Sequence, residues 1–78
     1  MKKSGTMHFE ELSKTIKGRR EALHVTQETL SELAGVGLRT INQFESGKGN
    51  PTLKTLQKLA DVLGMEVCLH LKNPSYNK

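Results

Sequence analysis

A glycine-flanked break between two short amphipathic stretches constrains the fold of this chain more than any other feature. Before the break, three apolar residues share one helical face: Leu30, Leu33 and Ala34. Gly35-Val36-Gly37 then interrupts the pattern, and Ile41 and Phe44 resume it three residues apart. The sequence therefore predicts two short helices joined by a tight turn.

Two more helical patterns flank this pair. The first begins at His8 and carries an apolar stripe of Phe9, Leu12, Ile16, Ala22 and Leu23. The last follows Pro51, and its stripe comprises Leu53, Leu56, Leu59, Ala60, Val62 and Leu63. Thr26 and Thr52 are expected N-caps, because a threonine hydroxyl accepts an unpaired backbone N–H. Gly64 is expected to end the last helix in a left-handed conformation.

The period changes after Gly64. Residues 65–71 alternate apolar and polar side chains, which is typical of a half-buried strand. A lone strand has unpaired backbone groups, and pairing with the same strand of a second copy would satisfy them. We therefore predict a homodimer whose strand residues are Met65, Val67, Leu69 and Leu71. The alternatives are an extension of the last helix or a strap over the core.

Length and composition agree with one small domain. The 78 residues are 35% apolar and carry a formal charge of +4, which favours a polyanionic partner or simply gives solubility. We predict a flexible tail at 1–7, a helical domain at 8–64, the dimerising strand at 65–72 and a second tail at 73–78. No signal-peptide pattern or membrane-length apolar run is evident, which predicts a cytoplasmic protein.

Two helices around a glycine turn form a helix-turn-helix, whose second helix enters the DNA major groove. Its side chains free of the core are Leu38, Arg39, Asn42 and Gln43. Arg39 can donate two hydrogen bonds to guanine, or it can contact phosphate instead. Asn42 and Gln43 can read adenine, or they can bond each other or phosphate, and Leu38 can pack on a thymine methyl.

The chain resembles the Cro/cI-type, or XRE-type, helix-turn-helix family of bacterial and phage DNA-binding proteins. The matching segments are TQETLSELAGV (26–36), TINQFESGK (40–48) and NPTLKTLQKLA (50–60). The resemblance implies an all-α, lambda-repressor-like bundle of about four helices, here with a short C-terminal β-strand. That strand looks like the one through which HipB-like antitoxins dimerise.

The resemblance also implies roles for individual residues. Base edges would be met by Leu38, Arg39 and Gln43, with Asn42 beside them. The DNA backbone would be met by Thr26, Gln27, Thr40, Ser46, Lys48 and Asn50, and Gln27 would also brace the recognition helix. Arg20 and Glu45 would form an internal ion pair. Gln27 can equally be an ordinary first-turn residue, and the segment containing Lys48, Asn50 and Lys54 can be a solvated loop.

Three positions depart from the family pattern. Gly37 stands where a small hydroxyl residue is common, which predicts a recognition helix without a side-chain cap. His24 stands where glycine is usual, which predicts a different end to the first helix. Leu38 stands where glutamine is common, and it cannot hydrogen-bond a base.

The expected function is a sequence-specific transcriptional repressor that reads an inverted-repeat operator in double-stranded DNA with its third helix. The strand favours the antitoxin of a HipBA-like pair, with a co-encoded toxin as a further partner. The alternatives are a stand-alone regulator of phage or restriction–modification type, and an interaction module that does not bind DNA. No enzyme activity, cofactor or metal is expected, because His8, His24, His70 and the single Cys68 lack ligand spacing.

Overall fold

A computed structural model describes residues 9–69 and contains four helices in that range. They are α1 (Phe9–Ala22), α2 (Gln27–Ala34), α3 (Leu38–Glu45) and α4 (Leu53–Val62). The all-α bundle predicted from the sequence is thus confirmed. The predicted tails, 1–7 and 73–78, lie outside the described residues.

The core is a single apolar cluster to which every helix contributes. Its buried members are Ile16, Leu30, Val36, Ile41, Phe44, Leu59 and Leu63. The rings of Phe9 and Phe44 meet edge to face with centroids 5.6 Å apart, which fastens the start of α1 to α3. Helix α3 packs against α1 and α2, and α2 also packs against α4. The side of α3 that faces these helices is therefore fixed.

Three leucines of the predicted apolar stripes are largely outside this core. Leu33 is 64% exposed, Leu53 59% and Leu23 42%. Leu53 is the first residue of α4 and Leu23 lies just beyond α1, so both are at the edge of the packed region. On α2, Leu30 and Ala34 make the core contacts and Leu33 is turned away from them.

The helix ends follow ordinary capping chemistry. The backbone N–H of Thr29 donates to the Thr26 hydroxyl at 3.0 Å, and that of Thr55 donates to Thr52 at 3.1 Å. At the end of α4, the N–H of Met65 donates to the carbonyl of Ala60 at 2.8 Å, with Gly64 at a φ of 74°. These caps agree with the sequence prediction.

The end of α1 is closed by a histidine in a backbone conformation that favours glycine. His24 has a φ of 58°, and the N–H of Val25 donates to the Arg20 carbonyl at 3.1 Å. This is the arrangement that a glycine at position 24 would provide. The expected difference at the end of α1 is therefore not seen, because His24 adopts the left-handed conformation itself.

The part of the predicted strand that the structure describes does not form a strand within the single chain. Residues 65–69 belong to no helix or strand, and residues 70–72 lie outside the described range. The predicted pairing is with a second copy, so the strand and the homodimer stay predictions.

Candidate nucleic-acid interface

Helix α3 divides its eight residues cleanly between an inner and an outer face. Ile41, Phe44 and Glu45 are buried, and the remaining five are exposed: Leu38, Arg39, Thr40, Asn42 and Gln43. All four predicted base-contact residues therefore lie on the outer face. Leu38 is 39% exposed, which leaves its methyl groups free to meet an apolar partner.

The only carboxylate of α3 is held in the interior by an arginine of α1. The Nε of Arg20 donates to Oε2 of Glu45 at 2.7 Å, and its Nη2 donates to Oε1 at 2.8 Å. The side chain of Glu45 is 2% exposed. This hydrogen-bonded pairing raises the pKa of Arg20 above its ordinary value, although burial opposes the rise. The outer face of α3 consequently carries the positive charge of Arg39 and no negative charge.

Arg20 also secures the connection between α1 and α2. Its Nη1 donates to the backbone carbonyl of Val25 at 2.6 Å. One guanidinium therefore joins α1, the loop that leads into α2, and α3. Such a fork of donors suits arginine better than lysine, because its planar geometry matches a carboxylate in two places at once.

A second set of contacts links α2 to α3 through side-chain amides. The Nε2 of Gln27 donates to Oε1 of Glu45 at 2.9 Å, and the Nδ2 of Asn42 donates to Oε1 of Gln27 at 2.6 Å. Gln27 is half-buried, whereas Asn42 is exposed. The resemblance implied that Gln27 braces the recognition helix, but the sequence did not indicate Asn42 as the residue of α3 that Gln27 contacts.

The tight turn between α2 and α3 is closed by backbone and side-chain bonds. Gly35 has a φ of 70°, and its N–H donates to the carbonyl of Ser31 at 3.0 Å. The Ser31 hydroxyl donates to the carbonyl of Val36 at 2.6 Å. Gly37 occupies the N-cap position of α3 and provides no side-chain cap, as the sequence predicts.

A shallow depression of about 200 Å³ lies beside α3, where the chain loops towards α4. It is lined by Thr40, Gln43, Phe44, Lys48, Gly49, Asn50 and Pro51. Three predicted phosphate contacts, Thr40, Lys48 and Asn50, thus lie together around one concavity, next to the predicted base contact Gln43. Gly49 has a φ of 82°, a backbone conformation that favours glycine, and a Cβ there would be in ordinary contact with the Cβ of Gln43 at 3.5 Å.

Two other predicted phosphate contacts use their hydroxyl protons within the protein. Ser46 donates to the carbonyl of Gln43 at 2.9 Å, and Thr26 donates to the Thr29 hydroxyl at 3.0 Å. Phosphate oxygens only accept hydrogen bonds, so each hydroxyl would have to leave its present partner to reach DNA. In the structure, Ser46 therefore stabilises the turn after α3, and Thr26 caps α2.

An arginine that the sequence did not single out fastens the end of α4. The Nε of Arg19 donates to the carbonyl of Leu63 at 2.8 Å. An Arg19 nitrogen also lies close to Gly64, where a Cβ would approach Nη2 to 3.3 Å. No sequence pattern pairs residues 44 positions apart, and only the packing of the helices brings them together.

Residues 9–69 contain neither a membrane-spanning helix nor a cluster of metal-binding side chains. None of their helices is long and apolar enough to cross a membrane. In the same range, histidine, cysteine and carboxylate side chains form no cluster of three that could hold a metal ion.

The sequence matches a helix-turn-helix family model and known regulators, and the fold matches a solved structure. The helix-turn-helix family model HTH_3 matches residues 16–69. The chain is 30% identical over 56 residues to the cryptic phage CTXphi transcriptional repressor RstR of Vibrio cholerae, covering 72% of this chain and 50% of that protein. This chain therefore spans half the length of RstR.

Two other similarities extend the comparison. An HTH-type transcriptional regulator of Archaeoglobus fulgidus is 40% identical over 52 residues, covering 67% of this chain and 73% of the regulator. The crystal structure of the restriction-modification controller protein C.AhdI from Aeromonas hydrophila superposes with a TM-score of 0.70 at 29% identity, covering 74% of this chain and 88% of C.AhdI. These matches do not address the narrower likeness to HipB-like antitoxins. The chain belongs to the XRE-type helix-turn-helix family of transcriptional regulators.

Proposed function

We propose that this protein is a sequence-specific transcriptional repressor that reads double-stranded DNA with α3. The observation that carries the proposal is the charge division of α3. Glu45 is withdrawn into the core by Arg20, while Arg39 and polar side chains occupy the exposed face. A helix that enters a groove between phosphates gains from such a face, because a carboxylate there would be repelled.

Each exposed side chain of α3 has a distinct role in this proposal. Arg39 donates to guanine O6 and N7, and Leu38 packs on a thymine methyl. Asn42 and Gln43 present amides, whose donor and acceptor match the adenine edge. Such a set reads a short mixed sequence rather than a homopolymer.

The backbone contacts lie on both sides of α3. On one side, Thr40, Lys48 and Asn50 surround the depression next to Gln43 and can hold one phosphate. On the other, Gln27 begins α2, where backbone N–H groups and the helix dipole favour an anion. These contacts would set the depth and angle at which α3 enters the groove.

The repressor acts as a homodimer in this proposal, paired through residues 65–72. Leu69 is 98% exposed in the single chain, and strand pairing with a second copy would bury apolar side chains of this segment. Two copies would present their α3 helices about 34 Å apart, or a multiple of that distance, on an inverted-repeat operator. A monomeric mass by light scattering at micromolar concentration would contradict this part of the proposal.

Two physiological forms of the repressor are distinguishable. Similarity to a phage repressor and to a restriction-modification controller supports a stand-alone regulator. The form of a HipBA-like antitoxin rests on the C-terminal segment alone. Affinity purification from the native host separates them, because an antitoxin would co-elute with a near-stoichiometric protein encoded next to it. Either form acts on DNA in the cytoplasm, at the nucleoid.

The test of the proposed function is selection of bound duplexes from a randomised library, followed by affinity measurement at several salt concentrations. We expect one inverted-repeat consensus and an affinity that falls with salt, with a log–log slope of about −0.9 for each phosphate neutralised. Arg39→Ala should abolish the preference for guanine at one position of each half-site. Lys58→Ala, which removes a positive charge from an exposed position of α4, is the matched control and should leave the consensus unchanged.

The competing function is a protein-interaction module that keeps this fold without binding DNA. If the wild-type protein selects no duplex even at low salt, that alternative is the better account. Selection of the same consensus by the wild type and by Arg39→Ala would exclude Arg39 as a residue that reads a base.

A further inference from the structure

The buried carboxylate of Glu45 is connected to the exposed face of α3 by two consecutive hydrogen bonds. Gln27 donates to Glu45 at 2.9 Å, and Asn42 donates to Gln27 at 2.6 Å. This series runs from a side chain 2% exposed to one that faces solvent. We call Glu45, Gln27 and Asn42 the amide relay.

The two hydrogen bonds of the relay can be donated in only one direction, from Asn42 to Gln27 and from Gln27 to Glu45. An ionised carboxylate accepts hydrogen bonds and has no proton to donate. The carboxylate oxygens of Glu45 accept from two donors of Arg20, so the atom of Gln27 that faces Oε1 of Glu45 must be the amide nitrogen. The amide oxygen of Gln27 is then the atom that faces Asn42, and Asn42 must meet it with its own nitrogen. The orientation of both amides is thus determined by a charge in the core.

The exposed amide of Asn42 is left with a defined pair of groups. One N–H is used by Gln27, and the second N–H and Oδ1 remain. An asparagine reads adenine by donating to N7 and accepting from N6. If the amide could turn over, donor and acceptor would exchange places, and the side chain would fit the reversed base pair as well. A fixed amide distinguishes the two.

We propose that the amide relay sets the orientation of Asn42 and thereby makes one operator position favour A·T over T·A. Asn42 touches the base, whereas Gln27 and Glu45 are positioning residues that act through it. This inference rests on the proposed DNA-binding function. It adds that the three residues of the amide relay determine specificity at one base pair.

The decisive variant is Gln27→Met, which keeps the length of the side chain and removes both amide groups. Gln27 is half-buried and lies outside the core cluster, so this variant avoids the loss of folding that changes of Glu45 would cause. Gln57→Met is the matched control, since Gln57 is an exposed glutamine of α4. Loss of a phosphate contact at Gln27 would weaken binding to all duplexes equally, so the ratio between two duplexes isolates the relay.

The experiment measures the affinity of each variant for the selected consensus and for duplexes in which single A·T pairs are reversed. We expect the wild type and Gln57→Met to favour one A·T pair by roughly tenfold or more, as a two-bond contact to adenine does. Asn42→Ala should remove that preference, Gln27→Met should reduce it to a small factor, and the double variant should match Asn42→Ala. An unchanged preference in Gln27→Met overturns the relay, as does a consensus in which Asn42→Ala alters no position.

A measurement on the free protein separates this inference from the proposed function. NMR relaxation of the side-chain ¹⁵N of Asn42 should report a rigid amide in the wild type and in Gln57→Met, and a mobile one in Gln27→Met. An equally rigid amide in Gln27→Met overturns the relay without reference to DNA. Failure of the wild type to bind any duplex would overturn the proposed function, and with it the role of the relay in base reading.

Discussion

Arg20 and Glu45 form a two-bond ion pair, with donor–acceptor distances of 2.7 Å and 2.8 Å, between α1 and the last residue of α3. Breaking one side of such a pair leaves the other charge buried and unpaired. We predict that Glu45→Ala lowers the free energy of unfolding by about 3–5 kcal/mol. Thermal denaturation followed by circular dichroism measures the effect.

The control for this prediction separates loss of the pair from loss of any carboxylate. Glu32→Ala removes an exposed carboxylate of α2 and should change the free energy of unfolding by less than about 0.5 kcal/mol. Replacing both partners, as in Arg20→Met with Glu45→Leu, should cost less than Glu45→Ala, because no unpaired charge remains. Equal melting temperatures for Glu45→Ala and the wild type would contradict the prediction.

His24 occupies a left-handed backbone conformation with a φ of 58°. A side chain with a Cβ is strained there, whereas glycine is not. We therefore expect His24→Gly to raise the free energy of unfolding by about 0.5–1 kcal/mol, after allowing for the greater freedom of glycine in the unfolded chain. Urea denaturation measures the difference. His24→Ala keeps the strain and should give no such gain, so equal gains for alanine and glycine would rule out the backbone as the cause.

Gly37 is the N-cap residue of α3, with a φ of −58° and a ψ of 141°, which any residue can adopt. A Cβ there would meet Thr40 Oγ1 at 3.8 Å, which is ordinary contact. Gly37→Ser should supply the missing cap and raise the free energy of unfolding by about 0.5–1 kcal/mol. The same change at Gly35, where φ is 70°, should instead lower it by about 1 kcal/mol. Thermal melts of the two variants should move in opposite directions.

Lys48 lines the depression beside α3 and is proposed to contact phosphate. We expect Lys48→Ala to weaken binding to consensus and scrambled duplexes by the same factor and to reduce the salt slope by about 1. Fluorescence anisotropy at several salt concentrations measures both quantities. A loss confined to the consensus duplex would assign Lys48 to base reading instead.

The sequence predicted the features of this fold that depend on neighbouring residues. The helix positions follow from apolar spacing, and the caps at Thr26, Thr52 and Gly64 follow from local backbone chemistry. The exposure of Leu33 could not be predicted from spacing, since a short helix buries only the part of its apolar face that a neighbour covers.

Contacts between distant residues were predicted only where a family pattern supplied them. The resemblance to XRE-type proteins indicated Arg20 and Glu45 as partners and Gln27 as a brace of the recognition helix, but it did not identify Asn42 as the partner of Gln27. The hydrogen bond from Arg19 to Leu63 depends on how α1 crosses the end of α4. Such a bond is a result of packing and has no local signal.

The division of α3 between a paired inner face and an open outer face bears on how such a repressor can change during evolution. Leu38 and Arg39 are exposed, so replacing them removes little internal packing. The fold is maintained instead by Glu45 and its neighbours in the interior. In the proposed repressor, single substitutions at the outer positions would therefore change the operator while each intermediate protein remains folded.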